Sequence, residues 1–170
     1  MRKNQIAILS LNLFFLTGCI WFANGHGSLK SYDYGVTKDR LEAAVNLVVE
    51  TNPNIYQDTI GLPIPTFKPG VGEDTIYDNS YNDGESYMRI YISGADFKNR
   101  YTFRYYGIKE HWETSKTSSI FIVSAFDNQG NGGGEGDVGR KLLKQLTDAF
   151  ETELVDNIDK QLNTKRTERY

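Results

Sequence analysis

A single cysteine, Cys19, leaves the chain without any intramolecular disulfide, and two histidines, His26 and His111, are too few and too far apart for a zinc site. With Cys19 in the N-terminal segment there is no Cys–His pair for nucleophilic catalysis, and no G-x-S-x-G elbow occurs. Positive charge is also in deficit. The 19 Lys and Arg face 22 Asp and Glu, a net charge of −3, so the overall field repels nucleic acid. One basic cluster (Lys165, Arg166, Arg169) is too short to reverse that and reads as a solvated tail. Methionine is scarce, with 2 in 170 residues, whereas 11 Tyr, 9 Phe and 2 Trp make the chain rich in rings. Many tyrosines and few methionines point to a sheet-rich, contact-forming surface rather than a plastic helical core. The length suits one domain with a real core.

One long apolar run is present, at the N-terminus. Arg2 and Lys3 form a positive n-region, and the uncharged stretch Ile6–Leu16, IAILSLNLFFL, has the length of a signal-peptide h-region. Leu16-Thr17-Gly18-Cys19 follows: an aliphatic residue, two small ones and a cysteine. This order resembles the signal and lipobox of bacterial lipoproteins. The resemblance covers the first 19 residues and implies a diacylglyceryl group on the Cys19 sulfur, cleavage before Cys19 and acylation of the new amino terminus. Two or three acyl chains anchor a protein firmly where one does not. The alternative is an uncleaved anchor helix, since apolar character continues through Ala23, at the lower limit for spanning a bilayer.

On the lipoprotein reading, residues 1–18 are removed, 19–35 are the acylated cysteine and a flexible tether, and 36–170 are a single domain. Losing Arg2 and Lys3 leaves 17 basic against 22 acidic side chains, a net of −5. Ile20 follows the cysteine, not the Asp that resembles an inner-membrane retention signal. The expected address is therefore the outer membrane of the bacterial envelope, facing the periplasm.

Downstream, Leu41, Ala44, Val45 and Val48 recur at helical spacing between Thr37, a possible cap, and Asn52-Pro53. That predicts a helix over 38–51. The proline-rich stretch 60–74 suits a loop or an edge segment. Short β-like runs follow near 75–78 and over 86–94, 100–108 and 118–126, with Asn82-Asp83-Gly84 and Gly94-Ala95-Asp96 as turn signals. Leu142, Leu143, Leu146, Ala149, Phe150, Leu154, Ile158 and Leu162 then form the apolar stripe of a long C-terminal helix. The expected fold is α+β in two layers: an antiparallel sheet of three to four strands with two helices on one face.

Six glycines crowd into 130–139 and raise the question of a site. The nearest match to a P-loop puts Arg140 and Lys141 where lysine and a hydroxyl belong, beside Glu135 and Asp137, which excludes a nucleotide. Two readings stay open. In one, Asp127, Asn131, Glu135 and Asp137 form an irregular calcium cage, although Gln129 and Val138 break the EF-hand pattern. In the other, the loop is a joint between strand and helix, with Asp137 capping the helix.

The strands carry the other candidate. Tyr87, Arg89 and Tyr91 alternate with Met88, Ile90 and Ile92, and Arg104 and Tyr106 oppose Tyr101, Phe103 and Tyr105. Antiparallel pairing would gather Tyr87, Arg89, Tyr91, Arg104 and Tyr106 on one outer face. Tyrosine and arginine give large contact area with directional hydrogen bonds. A solvated face with simple cation–π pairing would look the same. The sequence thus predicts a non-catalytic binding or assembly module partnered with another envelope protein, with no cofactor beyond the covalent lipid. The alternative is a lipoprotein that binds a glycan or other small ligand, with or without calcium.

Overall fold

The computed structural model describes residues 27–57, 62–67, 73–78 and 86–169, and of 62–67 and 73–78 the backbone alone. The expected signal peptide, Cys19 and His26 lie outside the described residues, as does much of 58–85.

The helix expected over 38–51 is α1, Lys38–Thr51. It buries Leu41, Ala44, Val45, Val48 and Val49, the stripe its spacing dictates. Thr37 holds the N-cap position with an extended backbone and accepts the amide of Leu41 at 3.0 Å, but its side chain makes no capping bond. Three expected strands are β5 (Tyr87–Ser93), β6 (Lys98–Tyr105) and β7 (Ser118–Phe126). They pair antiparallel as successive neighbours.

The sheet is larger than three to four strands. With β1 (Lys30–Tyr34), β2 (Ile55–Gln57) and β9 (Thr167–Arg169) added, its order is β2-β5-β6-β7-β1-β9, with β8 (Gly132–Gly133) on the free stretch of β7. β1 runs through the segment expected to be tether. It lies between β7 and β9, and Tyr32 and Tyr34 point into the core. β2 adds one edge. The basic residues at the C-terminus therefore do not form a solvated tail: Thr167–Arg169 is a strand, and Arg166 is 14% exposed. Residues 62–67 and 73–78 form a separate antiparallel hairpin, β3 (Leu62–Phe67) with β4 (Glu73–Asp78). Both strands are edges, which suits Pro63 and Pro65. A one-turn helix, α2 (Lys109–Trp112), links β6 to β7.

The apolar stripe of the C-terminal helix advances in steps of four: Leu146, Phe150, Leu154, Ile158, Leu162, all buried. In a straight α-helix each such step overshoots a full turn by about 40°. The chain absorbs this with a wider π turn, Glu151–Val155, between α3 (Arg140–Phe150) and α4 (Asp156–Leu162). Asn163, in the left-handed region at φ 51°, ends the helix. α1 and this helix share one core against one face of the sheet. Phe150 is its centre, with ring centroids 5.9 Å from Tyr32, 5.1 Å from Tyr101 and 5.6 Å from Phe103. The buried Tyr101 hydroxyl donates to the Leu146 carbonyl at 2.8 Å and accepts from Asn99. Among the described residues no helix is long and apolar enough to cross a membrane.

Candidate functional site

The sheet face away from the helices is built by a cross-strand register that the sequence foreshadows only in part. Tyr56, Tyr91, Arg100 and Phe126 line up across β2, β5, β6 and β7. A second row holds Tyr87, Arg104 and Phe121. Phe121 and Phe126 are five residues apart, so in a regular strand they would point to opposite faces. The register shift at Thr102/Phe103 leaves Val123 without a partner, and this bulge returns Phe126 to the face of Phe121. Each phenylalanine thereby lies under an arginine: Arg100 is 4.5 Å from the Phe126 ring centre, and Arg104 is 5.0 Å from Phe121. Arg104 also stacks on Tyr87 at 5.1 Å and donates to its hydroxyl at 2.9 Å. The Lys98 ammonium sits 4.9 Å over Tyr91, and Tyr91 packs beside Tyr56 with centroids 6.2 Å apart.

The expected surface residues fall into three groups. Tyr87, Tyr91 and Arg104 are half-buried and lie together on this face. Arg89 shares their side of β5 but is 1% exposed, so it offers no surface to a partner. Tyr106 lies beyond the end of β6, its ring edge-on to exposed His111 at 6.0 Å, in a different cleft. The sequence reading missed Lys98, Arg100, Phe121, Phe126 and Tyr56. The two cations were legible by counting back in twos from Arg104. Phe126 was hidden by the bulge.

Two clefts open on this side of the sheet. One, of about 340 Å³, is lined by Tyr91, Lys98, Arg100, Phe126 and the start of the glycine-rich loop at Asp127, Asn128 and Gly130. The other, of about 380 Å³, is lined by Asp33, Tyr34, Tyr106, His111 and Lys165 among others, with hydroxyls from Tyr106, Thr117, Ser119 and Thr167. There the Ser119 hydroxyl donates to Asp33 at 2.6 Å.

The glycine-rich loop is a joint. Asp127 accepts the amides of Gln129 (2.9 Å) and Asn131 (2.8 Å) on one oxygen and the Asn131 side chain (2.9 Å) on the other. The Asn131 side-chain bond, with the loop amides behind it, holds the Asp127 pKa below the usual carboxylate range. Gly132, at φ 138°, pairs with β7 so closely that a Cβ would sit 2.1 Å from the Ala125 carbonyl oxygen. Asp137 does not cap the helix. Its carboxylate accepts the Gly134 amide at 3.2 Å, and Gly139 takes the cap position. Glu135 packs on Gly27 instead. Asp127, Asn131, Glu135 and Asp137 therefore do not converge, and no trio of His, Cys, Asp or Glu among the described residues stands at metal-holding range.

Carboxylates do gather elsewhere, around the C-terminal strand. Arg166 bonds Asp156 (2.7 Å), Asp159 (2.8 Å) and Glu168 (3.1 Å), with Glu151 3.9 Å away. Lys30, nearly buried, pairs with Glu168 at 2.8 Å and with Glu151, whose same oxygen also accepts the Tyr32 hydroxyl. Burial opposes the Arg166 charge, but hydrogen bonds to Asp156 and Asp159 outweigh it and raise the guanidinium's pKa. The Lys30 hydrogen bond lowers that of Glu168. A general acid needs a carboxyl held up towards neutral pH. The Glu168 shift runs the other way, as in a structural ion-pair network. Burial, then the nearby carboxylates Glu151 and Asp159 respectively, push the hydroxyls of Tyr32 and Tyr34 up, so both stay neutral.

The chain matches no protein-family model, no curated protein and no solved structure.

Proposed function

We propose that this chain is a lipid-anchored protein of the bacterial envelope that works without catalysis, as a binding or assembly module for another envelope protein. The anchor would be Cys19, with the domain facing the periplasm, most simply from the outer membrane given Ile20. The observation that carries the binding role is the ring-and-cation row Tyr56–Tyr91–Arg100–Phe126 with Lys98 and Arg104 beside it. Its arginines and tyrosines are the residue types that dominate protein interfaces, and the rings hold the cations in place before any partner arrives.

The test is crosslinked capture of the full-length acylated protein from its own envelope, with mass spectrometry of what accompanies it. A stoichiometric envelope partner, lost on Tyr56→Ala (Tyr56 is 60% exposed) or Arg104→Gln, supports the role. Recovery of the protein alone removes it. The hydroxyl-rich cleft at Ser119 and Tyr106 favours one further reading, a glycan-binding lipoprotein. That reading expects saturable binding of a soluble oligosaccharide, lost on Tyr106→Ala. Neither reading calls on calcium: Asp127 spends both oxygens on its own loop.

A further inference from the structure

The cleft between Lys98, Arg100 and Phe126 deepens the binding role and rests on it. Neither cation there has a carboxylate partner among the described residues. Lys98 contacts the Tyr91 ring and Arg100 the Phe126 ring, and neither side chain makes a hydrogen bond or ion pair with another described residue. Asp127 lines the same cleft, yet its oxygens face loop amides, so the cleft carries two open cations against one turned carboxylate. In a chain where acids outnumber bases, 22 to 19, unpaired neighbouring cations are a feature to explain.

A sugar would need a bare ring face to stack on, but each ring that lines the cleft has a cation over it. What the cleft offers is donors: a guanidinium fork suited to two parallel bonds to a carboxylate, and an ammonium beside it. Alongside runs β2, the outermost strand of the sheet order, with no strand on its outer edge among the described residues. A free edge next to a cationic cleft suits an extended polypeptide. We propose that the cleft holds a carboxylate of an extended acidic segment of a partner protein, with Lys98 and Arg100 as its anchors, Tyr91 and Phe126 as its walls and Tyr56 beside it on the β2 edge.

The probe is a fluorescein-labelled hexaglutamate peptide, titrated by anisotropy with the full-length protein in detergent micelles at low salt. Binding should saturate, weaken as salt rises, and fall roughly tenfold in Lys98→Gln and in Arg100→Gln. Lys116→Gln, an exposed lysine outside the cleft, should bind as the unaltered protein does. Lys98 is exposed at the start of β6, so its variant remains decisive should Arg100→Gln fail to fold. No saturable binding, equal loss in the Lys116 control, or binding of an oligogalacturonate in preference to the peptide overturns the proposal. Envelope capture separates this from the role it rests on. A partner that survives both cleft substitutions defeats the acidic-segment assignment alone, whereas no partner at all defeats the binding role.

Discussion

Lys30 and Arg166 near the β9 edge of the sheet, and Lys98 and Arg100 on the interior strand β6, all lie near aromatic rings, but only the first pair is neutralised among the described residues. Lys30 and Arg166 stand 5.6 and 5.8 Å from the Tyr32 ring and are gripped by Glu151, Asp156, Asp159 and Glu168. Lys98 and Arg100 stand 4.9 and 4.5 Å from Tyr91 and Phe126 and are gripped by no carboxylate among the described residues. Burial explains the difference. Lys30 and Arg166, 4% and 14% exposed, are withdrawn from water and would be costly unpaired, whereas Lys98 keeps its hydration. The first pair fastens the C-terminal strand to β1. On the proposed reading, the second pair meets a partner outside the molecule.

The comparison breaks most visibly at Arg166. Arg166→Ala leaves Asp156 and Asp159 without their shared cation, and should cost about 3–5 kcal/mol in equilibrium urea unfolding. A loss below about 1 kcal/mol would put this cluster on the footing of an ordinary surface pair. Phe150→Ala, in the core both regions share, belongs to the same range of about 3–5 kcal/mol, read from the same midpoint shift.

Acid sharpens the contrast next. The Glu168 pKa is depressed in the folded state, so its contribution is complete above the unfolded value of about 4.3 and fades as pH falls through the lower folded one. Stability measured from pH 6 down to pH 3 should therefore fall, and less steeply in Lys30→Met, which starts lower. Parallel curves would show that the Lys30 bond does not set the shift.

At the open pair the effects on stability are small. Lys98→Gln and Arg100→Gln each remove one cation–π contact and should cost no more than about 1 kcal/mol. A larger loss would mean that these cations hold the fold, as Arg166 does. Smallest of all is the response to calcium: millimolar calcium, with chelator as control, should move the thermal midpoint by less than about 1 °C. A rise that Asp127→Asn abolishes would restore the cage.

Local periodicity made α1, β5, β6 and β7 legible, and with them the α+β class. The expected strand count failed where pairing is non-local. β1 carries only Tyr32 and Tyr34 as an alternating apolar signal, and its place depends on β7 and on a three-residue C-terminal strand with no apolar residue. No local rule reveals that Lys30 and Arg166 share the carboxylates Glu151 and Glu168. The π turn was written in the four-residue spacing from Leu146 to Leu162, though a helical stripe conceals it. On the site, alternation placed Tyr87, Tyr91 and Arg104 together, while the burial of Arg89 and the turn of Phe126 at the Val123 bulge required the three-dimensional register.

The most direct measurement is site-specific photocrosslinking in the living envelope from position 56, beside the open cations, and from position 40 on the helical side. A discrete adduct from position 56 alone, lost in Lys98→Gln and Arg100→Gln, is the predicted result. Adducts of equal yield from both positions, or none from position 56, would contradict the claim that the open cations mark the face this protein uses.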